Sequence, residues 1–366
     1  MSNEAPILFL INKFKVGGAE RMFIREANEL HRRGYCVLVA SLLPETEHDS
    51  FIDDLEIPQH QRVQFTTNSL LHVRVYTSLL AYIKQNKVVT IYATLEHANV
   101  VARIVGLLRP SLRICIRESN VASVKPIKFK LLDVFLNARA NVIIAISKGV
   151  RDSLVAYQPF YKRKITIIEL AVEVPNKEIA RVSRANEVLT ILSVGRMTQQ
   201  KRHDVLLRAF TQAKNEAIQE MRLVIVGDGS ERQQLESLVQ ELGISDSVTF
   251  TGTLPYKEVL QWYERSDIFA LASDWEGSSN VIREAMARCL PIVSTKIPVI
   301  REAVIDDKTG YLVALQDTNA FADALKRLVK NASLRRKFGR NGYQRVKEHF
   351  NFDNHIAMLL SYLCVG

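Results

Sequence analysis

Short apolar runs alternate with amphipathic stretches along almost the whole chain. ILFLI (7–11), CVLVAS (36–41), RVQFTT (62–67), VVTIYAT (88–94), LRICIRE (112–118), NVIIAIS (141–147) and KITIIE (164–169) read as strands. Between them lie helical-period stretches such as ERMFIREANELHRRG (20–34), HANVVARIVGLL (97–108) and FKLLDVFLNARA (129–140). Unbroken apolar runs mark strands buried on both faces. Their alternation with helices predicts a parallel sheet between two helical layers.

The rhythm fails over 171–188, AVEVPNKEIARVSRANEV, which carries a proline and mixed charge and reads as a linker. It restarts with LTILSVG (189–195) and continues through MRLVIVG (221–227), SVTFTG (247–252), DIFALAS (267–273), PIVST (291–295) and GYLVAL (310–315). The pattern predicts two doubly wound α/β domains, residues 1–170 and 189–346, followed by a charged helical tail ending in IAMLLSYLCV (356–365). Ligands of such sheets bind beyond the carboxyl ends of the strands, so a cleft between two facing sheets is the expected site.

Composition narrows the class. At 366 residues, 47% hydrophobic and 24% charged, the chain has the make-up of a two-domain globular protein with an ample core. Cys36, Cys115, Cys289 and Cys364 are scattered and form no Cys-x-x-Cys, which argues against a disulfide or zinc framework and for a reducing cytosol. The opening MSNEAPILFLINKFK reads as a strand rather than a signal peptide, and no run reaches the ~20 apolar residues of a membrane span. The net charge of +10 is uneven: residues 57–172 hold 17 basic against 5 acidic side chains, a net of +12. Such a segment can meet an anionic membrane surface, or it can serve only as a solvated face. FKLLDVFLNARA, preceded by Lys125 and Lys128, is the stretch best suited to lie on lipid.

Candidate chemistry gathers in the strand-to-helix turns. Gly17 and Gly18 of GGAE follow the first strand, where glycines let the backbone approach an anion. Arg196 and Lys201 of VGRMTQQK leave the first strand of the second domain, two cations suited to a diphosphate. Gly227 of GDGSER opens another such turn. In EGSSNVIRE the next helix is expected to begin near Ser279 or Asn280. A capping box to Glu284 is missing, because Val281 stands at the required position. The amides of Ser278, Ser279, Asn280 and Val281 then suit a phosphate, while Glu276 and Glu284 suit sugar hydroxyls. There is no Asp-x-Asp, no metal-binding histidine spacing, no dinucleotide or P-loop glycine pattern, no serine-hydrolase elbow and no nucleic-acid recognition motif.

Taken as a set, GGAE, VGRMTQQK, IVGDG, FTG, SDWEGSSNVIREAMA and PIVST resemble glycosyltransferase family 4, of the GT-B fold, over nearly the whole chain. The resemblance implies a retaining, metal-independent transfer of a sugar from a nucleotide donor, usually a UDP-sugar, with no tightly bound cofactor. The donor would lie on the second domain and a lipid-linked or cell-surface glycan acceptor on the first. Arg196 and Lys201 would hold the diphosphate, Glu284 the ribose, and Glu276 the sugar near the reacting carbon. Glycines 17 and 18 would approach the phosphates. The last helix, about 347–366, would pack back on the first domain. The implied setting is the cytoplasm, at the inner face of the plasma membrane.

The chain departs from the family in three places. Glu118 stands where many relatives have a histidine, and is carried as a catalytic candidate on that position alone. Ser279 replaces a loop glycine, and Lys296-Ile297-Pro298-Val299 replace an Asp and glycines after PIVST. These departures keep two alternatives in view: a GT-B epimerase of nucleotide sugars, and a nucleotide-sugar-binding protein without turnover.

Overall fold

The apolar runs become two all-parallel sheets in the computed structural model, which describes residues 5–14, 18–43, 52–65, 72–179, 188–277 and 280–364. The chain divides into two compact units, one holding residues up to Leu170 and from Asp353 onward, the other Ala171–Phe352.

In the first unit the strands are β1 (Ile7–Ile11), β2 (Val37–Ser41), β3 (Arg62–Gln64), β4 (Thr90–Thr94), β5 (Arg113–Glu118), β6 (Val142–Ala145) and β7 (Ile165–Ile167). Their order is β3-β2-β1-β4-β5-β6-β7. The helices are α1 (Gly18–Arg32), α2 (Val73–Gln85), α3 (Glu96–Leu108), α4 (Ile127–Leu136) and α5 (Lys148–Tyr157). Every residue of β1, β2 and β4 is buried, which is why these strands read as unbroken apolar runs. Ser147 caps α5 by accepting from the Val150 amide at 3.1 Å.

The second unit has β8 (Leu189–Val194), β9 (Met221–Val226), β10 (Val248–Gly252), β11 (Ile268–Leu271), β12 (Ile292–Thr295) and β13 (Gly310–Val313), ordered β10-β9-β8-β11-β12-β13. Its helices are α6 (His203–Asn215), α7 (Arg232–Glu241), α8 (Tyr256–Arg265), α9 (Asn280–Ala287), α10 (Pro298–Ala303), α11 (Thr318–Lys330) and α12 (Ala332–His349). Alternate strand residues feed two cores. Ile191, Leu223 and Ile268 pack with Phe210 and Phe321, whereas Leu192, Val224 and Phe269 pack with Tyr263, Met286 and Phe350. Asp317 and Asn331 cap α11 and α12.

The last helix, α13 (Phe352–Leu363), belongs with the first unit. It buries His355, Ile356, Leu359 and Leu363. The Leu363 carbonyl accepts from Thr90 Oγ1 at 3.0 Å, and the Tyr362 carbonyl from Arg113 Nε at 2.6 Å.

Two expectations change. Ala171 and Val172, at the start of the stretch read as a linker from its proline and mixed charge, are buried, and Val172 pairs with Asn351. Proline and charge further along the segment masked this short apolar anchor. Lys125 is not part of a lipid-facing surface. It is 6% exposed, and its Nζ bonds Glu118 at 2.9 Å and Asp133 at 2.5 Å.

Candidate active site

In a doubly wound sheet, the loops that diverge at the switch in strand order leave a crevice beyond the strands' carboxyl ends. In the second unit that switch lies between β8 and β11. The loop after β8 carries Arg196 and Lys201, and the loop after β11 carries Glu276. The two loops are stitched together. The Asp274 amide donates to Gln200 O at 2.9 Å, and Gln200 Nε2 to Trp275 O at 2.7 Å.

Lys201 and Glu276 meet directly. Lys201 Nζ lies 2.6 Å from Glu276 Oε1, with the two side chains 12% and 6% exposed. Ser273 Oγ donates to the same oxygen at 2.6 Å, and the Ser273 carbonyl accepts from Thr295 Oγ1 at 2.5 Å. The carboxylate is therefore aimed by the loop after β11 and by the end of β12. Lys201 reaches it by lying across Gly195, where an added Cβ would stand 3.3 Å from Lys201 Cε. Arg196 is exposed and makes no side-chain hydrogen bond among the described residues.

Glu284 sits one turn into α9, which starts at Asn280, and is 7% exposed. It accepts from Tyr263 Oη at 3.0 Å and from Tyr256 Oη at 3.3 Å. Burial, followed by the Glu284 charge, pushes the Tyr263 phenol well above its ordinary range, so it serves as a donor. Val281 is half-buried against the core. Gly17, Ser278 and Ser279 lie outside the described residues.

Gly227 has a structural reason of its own. Its φ is +132°, and a Cβ there would fall 2.2 Å from the Gly195 carbonyl oxygen. The turn after β9 thus supports the Arg196–Lys201 loop from behind. At Gly18, by contrast, nothing among the described residues lies within 4 Å of an added Cβ. Gly18 begins α1 after β1, beside the switch between β1 and β4 in the first unit.

Glu118 ends β5 and is 6% exposed. Both its oxygens contact Lys125 Nζ, at 2.9 and 3.0 Å, and Asn99 Nδ2 lies 3.3 Å away. Lys125 continues to Asp133, which pairs with Arg103 at 2.8 Å. Burial raises the Glu118 carboxyl, with the Lys125 charge opposing. Two acids and two bases are thereby locked inside the first unit, against the helix pair α3 and α4. The residues after PIVST also have a packing role: Ile297, Val299 and Ile300 are buried, and Ile297 and Ile300 join the core that holds Tyr263 and Met286.

Sequence reading missed Ser273, Tyr256 and Tyr263. The tyrosines are seven apart on α8, and that spacing on one helix face was the available signal. It also missed His203, which opens α6, is 2% exposed and borders a cavity of about 600 Å³ with Thr198, Arg202 and Gln234. None of Arg196, Lys201, Glu276 or Glu284 lines that cavity. Burial, helped by the Lys201 charge, pushes the His203 imidazole down from 6.5 to about 4. A depressed histidine pKa favours the folded state while the ring is neutral, and that advantage falls away as pH drops from 6.5 toward 4. Unfolding of the second unit is expected to cost about 2 kcal/mol less at pH 5 than at pH 7 on this account. Chemical denaturation of His203→Leu at both pH values checks it: the variant should lose less stability than the wild type, and parallel losses would refute the assignment.

Among the described residues no group of three His, Cys, Asp or Glu is placed to hold a metal ion, and no helix is long and apolar enough to cross a membrane.

Comparison with known proteins bears on this site. The family described as Glycosyltransferase Family 4 matches residues 16–174, and Glycosyl transferases group 1 matches residues 176–345. The chain is similar to an N-acetylgalactosamine-N,N'-diacetylbacillosaminyl-diphospho-undecaprenol 4-alpha-N-acetylgalactosaminyltransferase of Campylobacter jejuni, 28% identical over 70% of this chain and 72% of the relative. A second Campylobacter jejuni relative, a GalNAc-alpha-(1->4)-GalNAc-alpha-(1->3)-diNAcBac-PP-undecaprenol alpha-1,4-N-acetyl-D-galactosaminyltransferase, is 26% identical over 93% of this chain and 94% of its own length. Among solved structures, Anabaena HepE in complex with UDP superposes with a TM-score of 0.82 at 20% identity, over 98% of this chain and 99% of HepE. That likeness establishes the GT-B fold. With both family matches joined end to end across almost the whole sequence, the chain belongs to glycosyltransferase family 4.

Proposed function

We propose that this glycosyltransferase moves an N-acetylhexosamine, with retention, from a UDP donor to a hydroxyl of a saccharide carried on a polyprenyl diphosphate. The observation that carries the reading is the Lys201–Glu276 contact at the switch between β8 and β11. It offers a cation for a leaving diphosphate beside a carboxylate for sugar hydroxyls. Arg196 would supply a second cation, Glu284 would hold the ribose, and the amides at the start of α9 would face a phosphate. The sugar and acceptor classes come from the Campylobacter relatives, and the UDP from HepE. The donor is assigned to the second unit and the acceptor to the first. No residue of the site needs a metal in this scheme: Lys201 and Arg196 would carry the charge compensation. Incubation with UDP-N-acetylgalactosamine and a polyprenyl-diphosphate saccharide, followed by mass spectrometry, tests it. Donor loss without growth of the acceptor would favour an epimerase, and UDP binding without turnover a binding protein.

A lipid-linked acceptor calls for access to a membrane surface, and we assign this to α4. Ile127, Leu131 and Phe135, four apart, are 70%, 61% and 78% exposed, and Phe160 is 95% exposed. Tyr161 Oη donates to Val134 O at 3.0 Å, which holds the Phe160 turn against α4. Exposed Lys128, Lys162 and Arg163 border these residues in sequence. An apolar stripe beside cations suits the interface of an anionic bilayer. Flotation with phosphatidylglycerol vesicles should recover the wild type at low salt and lose most of it with Leu131→Ser/Phe135→Ser. Equal recovery of both, or none of the wild type, would remove this assignment.

A further inference from the structure

Arg117 and Glu118 are neighbours at the end of β5, and their side chains leave on opposite faces of the sheet. Glu118 joins the network around Lys125. Arg117, 1% exposed, turns instead toward α1. Its Nη1 lies 2.7 Å from each oxygen of Glu26, and its Nη2 donates to the Ala19 carbonyl at 2.8 Å. Glu26 is fully buried and has two further partners: Tyr92 Oη at 3.1 Å and His355 Nε2 at 2.7 Å. The other ring nitrogen of His355 meets the Glu169 carbonyl at 2.8 Å. Burial works to raise the Glu26 carboxyl. The Arg117 charge and the bonds from His355 and Tyr92 more than offset this, and the carboxyl sits below its ordinary range.

We infer that Arg117, Glu26 and His355 are positioning residues for the first turn of α1. Three elements distant in sequence converge there: α1, the end of β5, and the last helix, which rejoins this unit after the chain has built the other. A planar guanidinium can hold the carboxylate and the Ala19 carbonyl at once, because its donors point in two fixed directions. Ala19 lies one residue from Gly18, where nothing among the described residues stands within 4 Å of an added Cβ. The relay thus fixes the backbone at the point where glycine gives a ligand room. The inference rests on the proposed function in one respect only: it takes from the family resemblance the expectation that Gly18 approaches the donor phosphates.

Arg117→Lys separates the two bonds, since a lysine keeps a charge for Glu26 but cannot also reach Ala19. His355→Ala removes the last helix's contribution without touching β5. In the full-length protein without ligand, amide exchange at Met22 and Phe23 should accelerate about tenfold or more in both variants. These amides close the first turn onto Gly18 and Ala19. Exchange in β1 and β5 should stay as in the wild type. Unchanged exchange at Met22 and Phe23 would overturn the inference, and so would uniform loosening of the whole unit. The second readout is UDP affinity by calorimetry together with transfer kinetics. About tenfold weaker UDP binding and a lower kcat, with the acceptor KM unmoved, are expected for Arg117→Lys. Wild-type protein that binds no UDP would defeat the functional reading, while the exchange result would still decide the positioning role.

Discussion

Lys201→Ala is expected to lower sugar transfer by about two to three orders of magnitude while leaving the fold in place. The magnitude is that of removing one preorganised charge from the place where negative charge develops. Lys201 is positioned for this by three features: Gly195 beneath its stem, Glu276 at its ammonium, and the bond from the Asp274 amide to Gln200 that holds the two loops. Some stability is lost as well, because Glu276, 6% exposed, then keeps only the Ser273 hydroxyl of these two partners, so activity is compared at a temperature where the variant is folded. The effect should fall mainly on kcat, since the charge acts most strongly as the diphosphate leaves. Steady-state kinetics beside circular dichroism checks this. A kcat within about threefold of wild type would remove Lys201 from the chemistry.

Lys125→Met should have the largest effect on stability. It leaves Glu118 and Asp133 buried with Arg103 as their remaining strong cation. Breaking one member out of a buried ionic network costs about 3–5 kcal/mol, because the remaining charges keep their desolvation penalty. In a unit of this size that corresponds to a fall in melting temperature of about 10 °C. Adding Glu118→Gln removes the excess charge and should restore part of the loss, so the double-mutant cycle should show coupling of about 1 kcal/mol or more. Thermal melts of the four proteins decide it. Additive losses would mean that Glu118 is held by something other than Lys125. If Glu118→Gln alone abolished transfer without changing the melt, Glu118 would be a catalytic group despite its burial.

These two lysines also show what the sequence could and could not reveal. Lys201 and Glu276 were legible singly, because each follows a strand's carboxyl end and ligands of doubly wound sheets gather there. Their contact was not legible. They are 75 positions apart, and only the strand order, with β11 beside β8, brings their loops together. Apolar runs reveal which segments are strands but not which strands are neighbours. Lys125 shows the opposite failure. A count of charge placed it on a basic surface, whereas folding buries it between an acid seven positions before and one eight after, at no regular spacing. The start of α9 at Asn280 was readable from its polar residues, but the tyrosines that hold Glu284 were not singled out, since aromatic residues on a helix usually mark core. Arg117 stood next to a residue of interest and was passed over. Its partner Glu26 lies 91 positions before it, and His355, which bonds Glu26 in turn, lies in the last helix, out of reach of any local pattern.

On the proposed function, the Lys201–Glu276 site transfers an N-acetylhexosamine to a lipid-linked saccharide with retention. The most direct test supplies UDP-N-acetylgalactosamine and a polyprenyl-diphosphate saccharide to wild type and Lys201→Ala, reading product mass and anomeric configuration. The wild-type product should carry one added N-acetylhexosamine in the α configuration of the donor, and the variant should make about a hundredth as much or less. An acceptor left unextended by a wild type that binds UDP, or a product of inverted configuration, would contradict it.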